Sequence, residues 1–157
     1  MDNTQTLIAA LEGAPDMIIG LVREVPPQNL KRRPSPDKWS AHEHACHIST
    51  ADTAYLLRLE LMLSDPAPYI KSMVPSPEEE AGSLLNIDLD EALDQYARER
   101  ARLVKRLKEL SAEDWQQTAE HEALSHYSVS IMFRQLLLHE MLHAYRIEEL
   151  LLKKDWE

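Results

Sequence analysis

Glycine is scarce, with only Gly13, Gly20 and Gly82. Valine and isoleucine do not alternate with polar residues at a period of two, so the composition argues against a sheet and for an all-α domain. A single cysteine, Cys46, leaves no internal disulfide to form. The amino terminus MDNTQTLI has neither a basic stretch nor the apolar run of a secretion signal, so a reducing cytoplasmic setting is expected. No run approaches the roughly 18 apolar residues of a membrane span, and a soluble protein with no membrane partner is the expectation. Basic residues are the minority, 17 against 27 acidic for a net charge of −10, which repels nucleic acid and anionic membrane surfaces. The densest basic cluster, Lys31, Arg32 and Arg33, precedes a proline-rich loop without interleaved aromatics and reads as a solvated loop rather than a phosphate track.

What is present is helical periodicity. At 157 residues the chain suits one core, so residues 1–157 are read as a single domain. From Ile131 to Leu152 apolar residues recur every three or four positions with no glycine or proline, predicting a long amphipathic helix. Its inward line is Met132, Leu136, His139, His143, Ile147 and Leu150, so two imidazoles stand where leucines belong.

Three further helices are expected. The first covers roughly Asn3 to Val25, with Pro15 either kinking it or starting a new helix after a break. Pro26, Pro27, Pro34 and Pro36 keep the next stretch extended and out of any helix. The second runs from Ala41 to Leu63, capped by Asp37 or Ser40 with Glu43 as capping-box partner. A long crossover from Ser64 to Leu89 carries four prolines, an acidic triplet Glu78 to Glu80 and a short helical turn after Pro77. The third helix, Asp90 to Leu110, places Arg100 in its apolar stripe; a snorkelling stem at the bundle edge is the first expectation, and a buried cation facing a carboxylate or a substrate anion the second. Four helices with a long crossover between the second and third make a four-helix bundle.

Histidines at i and i+4 lie about 5–6 Å apart at Cβ, close enough to share one ion at about 2.0–2.1 Å. Two buried neutral rings each need a polar partner, and one cation satisfies both. The second helix offers His42, His44 and His47 for a third ligand. His42 lies near the exposed first turn, His44 could face inward, and His47 is chosen because it sits on or beside the buried line. The set His47, His139 and His143 leaves an open coordination position, as catalytic sites do. His121 and His126 read as surface residues of a polar loop.

His139 to His143 also spell H-E-x-x-H, the zinc metalloprotease helix, but few residues follow and none supplies that class's downstream ligand, so protease is rejected. Glu140, rotated about 100° from His139, is either an interhelix or solvent-facing charge or a general base reaching round to the metal. Glu43, one turn before His47, is the rival ligand or base. Three imidazoles suit zinc, nickel, copper or iron.

The segments DKWSAHEHACHIS, EALDQYARERARLVKRLKELSAEDW and YSVSIMFRQLLLHEMLHAYRIEEL, in that order, resemble the DinB/YfiT-like superfamily over about Leu7 to Leu151. The resemblance implies a four-helix bundle, often a homodimer, with a divalent ion such as zinc or nickel on His47, His139 and His143. It also implies a small-molecule substrate, because similar proteins include low-molecular-weight thiol-dependent transferases and isomerases as well as metal-dependent hydrolases. The family commonly has aspartate and glutamine where this chain has Glu140 and Arg146, and often a glycine where it has Ser125, His126 and Tyr127.

Three functions follow from these readings. The first is a metal-dependent hydrolase or thiol transferase, the second a non-catalytic metal-binding or stress-associated bundle, and the third a metal-free interaction bundle. Cys46, adjacent to His47 but rotated away, reads as core filler rather than a reactive thiol.

Overall fold

Pro15 does not break the first helix. In the computed structural model, which describes residues 3–156, α1 runs unbroken over Asn3–Glu24. Of the expected single domain, Met1, Asp2 and Glu157 lie outside the described residues. A proline inside a helix withholds the amide that would bond the carbonyl four residues back. Here that carbonyl belongs to Leu11, and the Arg100 guanidinium supplies the missing donor at 2.8 Å. By length and composition α1 is apolar enough to cross a membrane, contrary to the sequence expectation. Within the fold it lays Leu11, Ala14, Ile18 and Val22 against the interior.

The proline-rich connection is not wholly extended. Pro27 opens a one-turn helix, α2 (Pro27–Leu30), at a first helical position, where a missing amide costs nothing. The expected second helix is two. After α3 (Ala41–Ile48) the Ser49 hydroxyl donates to the Cys46 carbonyl and the Thr50 hydroxyl to that of His47, competing with the helical ladder, and α4 (Ala51–Ser64) begins anew.

The crossover holds β1 (Tyr69–Ile70), the one-turn α5 (Pro77–Glu80) and a 3₁₀ turn at Ser83–Asn86. Gly82, with φ +108°, turns the chain between α5 and the 3₁₀ turn in a conformation that favours glycine. The remaining elements are α6 (Leu89–Lys108), α7 (Ala112–Gln116), β2 (Glu120–His121) and α8 (Val129–Leu151). β1 and β2 pair in parallel, Tyr69 opposite Glu120 and Ile70 opposite His121, and tie the crossover to the connection before α8.

The four-helix bundle is formed by α1, the α3–α4 pair, α6 and α8. α1 packs on α6 and α8, and α3 packs on α8. Two larger apolar clusters fill the interior, one containing Leu11, Tyr55, Leu103 and Leu136, the other Ala14, Ile48, Tyr96 and Ala144. Between them along α4, α6 and α8 fall Asp52, Arg100 and Glu140, all buried. Arg100 donates to both Asp52 oxygens, at 2.7 and 2.9 Å, and to both Glu140 oxygens, at 3.1 and 2.6 Å. The snorkelling expectation for Arg100 is therefore corrected: its side chain is 2 % exposed. Pro15 leaves an orphan carbonyl in the interior, and two buried carboxylates keep the cation there.

Candidate metal centre

The start of α3 is fixed by its own cap. Ser40 and Glu43 form a capping box, and the Glu43 carboxylate also takes hydrogen bonds from Arg33. Burial alone pushes the Glu43 carboxyl up, but the Arg33 and Ser40 bonds outweigh it and hold the group below its usual range. His42, expected near an exposed turn, is buried with Nε2 3.1 Å from the Leu84 carbonyl, because the crossover folds over it. With the helix held this way, His44 and His47 face α8.

Three rings converge there. His47 Nε2 is 3.3 Å from His139 Nε2, which is 3.0 Å from His143 Nε2. Ring centroids are separated by 5.2 Å for His47–His139, 4.8 Å for His47–His143 and 4.5 Å for His139–His143. Trp39 covers the cluster, with its ring 4.9 Å from that of His47 and stacked on His143 at 5.9 Å. Burial, reinforced by the neighbouring rings His139, His44 and His47, pushes His143 down to about 2. Burial, then the proximity of His47, also lowers His139. His139 and His143 are therefore neutral at pH 7, the form that binds metal.

The donor set fits a divalent ion. A neutral imidazole carries one proton, so among three facing Nε2 atoms one hydrogen bond pairs two and leaves the third without a partner, a lack that a shared cation removes. The Nδ1 atoms of His47 and His139 are buried with no hydrogen-bond partner, although Glu79 Oε1 approaches that of His47 to 3.5 Å. An ion held tetrahedrally at about 2.0–2.1 Å keeps its nitrogens about 3.3 Å apart, close to the separations seen. Ligand atoms of His47, His139 and His143 all lie within 4.8 Å of one another, so these residues could hold a metal.

Both carboxylates expected as bases are engaged elsewhere. Glu140 gives its oxygens to Arg100 and accepts from the Tyr96 hydroxyl at 2.8 Å, and Glu43 is held by Arg33 and Ser40. The carboxylate that approaches the cluster is Glu79, with Oε1 3.5 Å from His47 Nδ1. Its other oxygen accepts from the Ser76 amide in the capping box of α5. The sequence offered that signal in Ser76 and Glu79, spaced as a capping box, without saying where the crossover would lie. His44 Nδ1 lies 2.8 Å from His143 Nδ1, and burial, with His47 nearby, pushes His44 down to about 4. His121 accepts from the Ala123 amide and packs on Tyr127, and His126 is exposed; neither has a contact with the three rings.

A cavity of about 580 Å³ opens beside the cluster, with His143, His44, Trp39, Pro75, Glu80 and Arg146 among its lining. A helical bundle with three convergent imidazoles, one of which, His143, lines an open cavity, defines a candidate metal-site protein. Residues 10–147 match the DinB superfamily, and the chain belongs to that family. Among solved structures it is similar to YfiT from Bacillus subtilis, described as a probable metal-dependent hydrolase with an unusual four-helix bundle topology. The TM-score is 0.80 at 15% identity, over 96% of this chain and 86% of that one. No curated protein matches the chain in sequence.

Proposed function

We propose that this protein is a metal-dependent enzyme that uses zinc or nickel on His47, His139 and His143 to act on a small molecule in the adjoining cavity, with hydrolysis as the reaction. The observation that carries the reading is the convergence of three Nε2 atoms beside an open cavity. YfiT's description as a probable metal-dependent hydrolase supports the same class. A divalent ion at such a site supplies Lewis acidity and makes a nucleophile available at neutral pH. The protein's own residues do the rest. The imidazoles hold the ion, Trp39 shields one side from solvent, and the Arg33–Glu43 pair fixes the helix that brings His47 to α8.

The occupation of Glu140 and Glu43 by arginines favours a second reading, in which water is not the nucleophile. A low-molecular-weight thiol binds metal as thiolate and needs a weaker base, so thiol transfer is the alternative within this reading. A homodimer and a cytoplasmic setting belong to the same proposal. Exposed Leu138, Leu142 and Tyr145 on α8 support the dimer, and the net charge of −10 supports a function without nucleic acid.

The test is turnover of ester, amide and thiol-acceptor panels by zinc- and nickel-reconstituted protein beside His143→Ala. Turnover that needs the ion and is lost in the variant supports the proposal. Stoichiometric metal with no turnover on any panel, and a large loss of thermal stability on chelation, supports a non-catalytic metal-binding bundle instead.

A further inference from the structure

An imidazole that offers its Nε2 lone pair to an ion must keep its one proton on Nδ1, and a buried Nδ1–H needs an acceptor. At His143 the atom facing Nδ1 is another imidazole nitrogen, Nδ1 of His44, at 2.8 Å. That bond holds one proton and has two states. With the proton on His143, its Nε2 lone pair turns toward His139 and His47, and the His44 proton sits on Nε2. With the proton on His44, neutral His143 must carry its own on Nε2, which points a hydrogen at His139 Nε2, 3.0 Å away, and closes the ligand position.

The surroundings distinguish the two states. Both rings line the cavity, but His143 is buried with its Nε2 turned onto His139, whereas His44 is half-buried. A proton on His44 Nε2 therefore meets solvent, whereas one on His143 Nε2 meets another ring. We propose that His44 is a positioning residue that accepts the Nδ1 proton of His143 and so locks that ring in the tautomer that binds metal. The inference rests on the three-histidine metal site and adds to it a residue outside the ligand set.

The experiment uses zinc alone as probe, in competition with a chromophoric chelator, on the full chain and on His44→Phe and His44→Asn. Phenylalanine keeps a ring but removes the acceptor, while asparagine returns a polar atom near the Nδ1 position. His44→Phe is expected to weaken zinc about 10- to 100-fold and His44→Asn to recover most of that loss. Long-range nitrogen NMR of histidine-labelled, metal-free protein gives a second readout: His143 carries its proton on Nδ1 in the wild type and shifts to Nε2 in His44→Phe. Unchanged zinc affinity in His44→Phe, or His143 protonated on Nε2 in the metal-free wild type, overturns the role of His44 and leaves the metal site intact. A wild type that takes up no zinc overturns the site itself, and the inference with it.

Discussion

Arg100 donates through Nη1 to the carbonyl of Leu11 at 2.8 Å, the oxygen that Pro15 leaves without a helical donor. The same guanidinium holds Asp52 on α4 and Glu140 on α8, so one side chain on α6 connects all four long segments of the bundle. Glu140, next to the candidate ligand His139, is thereby fixed in the interior.

Removing Arg100 leaves the Asp52 carboxylate and the Leu11 carbonyl without their donor, and Glu140 with only the Tyr96 hydroxyl. Arg100→Leu is expected to lower unfolding stability by about 3–5 kcal/mol in chemical denaturation. Adding Pro15→Ala restores an amide for the Leu11 carbonyl and returns about 1 kcal/mol. A change below about 1 kcal/mol for Arg100→Leu contradicts this reading of the network.

Glu79 faces a buried nitrogen of His47 that has no hydrogen-bond partner. Glu79→Ala removes both the carboxylate and the helix cap, whereas Ser76→Ala weakens the cap and leaves the carboxylate. Zinc affinity is expected to drop about tenfold in Glu79→Ala and to stay near wild type in Ser76→Ala. Equal losses in the two variants reduce Glu79 to a capping residue.

Cys46 is fully buried, and burial pushes its thiol up to about 11. The folded protein is expected to resist a disulfide-exchange reagent at pH 8 and to react only as fast as it unfolds. Labelling at the rate of a free thiol contradicts that burial.

His42 has its pKa lowered, first by burial and then by nearby Lys31. The unfolded imidazole titrates near about 6.5, so between that value and the lower folded one the unfolded chain binds a proton that the folded chain refuses. His42 therefore destabilises the fold as pH drops through about 6.5 and continues to do so until the folded ring titrates. Asp52 and Glu140, raised by burial, slope the other way, so the informative quantity is the difference between wild type and His42→Gln. The variant is expected to show a shallower loss of metal-free stability on acidification, by at most about 1.4 kcal/mol per pH unit. A steeper loss contradicts the buried, neutral state of His42.

The bundle was legible because its signals are local. His139 and His143 share one stripe of one uninterrupted helix, and His47 lies one turn inside the next best histidine-bearing helix. What remained hidden depends on distant chain. Nothing near Arg100 says that Pro15 frees a carbonyl opposite it, so a snorkelling stem was the natural expectation. His42 looks exposed until Leu84 in the crossover closes over it, and Glu79 is one of three glutamates until α5 docks beside His47. The break at Ser49 and Thr50 arises from two hydroxyls competing for helix carbonyls, a balance that apolar periodicity does not register. The two-residue β1–β2 pair is too short to leave any pattern.

The most direct test is elemental analysis of untagged protein, grown with zinc and nickel supplied, alongside His47→Ala and His143→Ala. One divalent ion per wild-type chain, lost in both variants while each stays helical by circular dichroism, is the predicted result. Wild type without metal, or variants that retain a full ion, contradicts the convergence of these three imidazoles on a common cation.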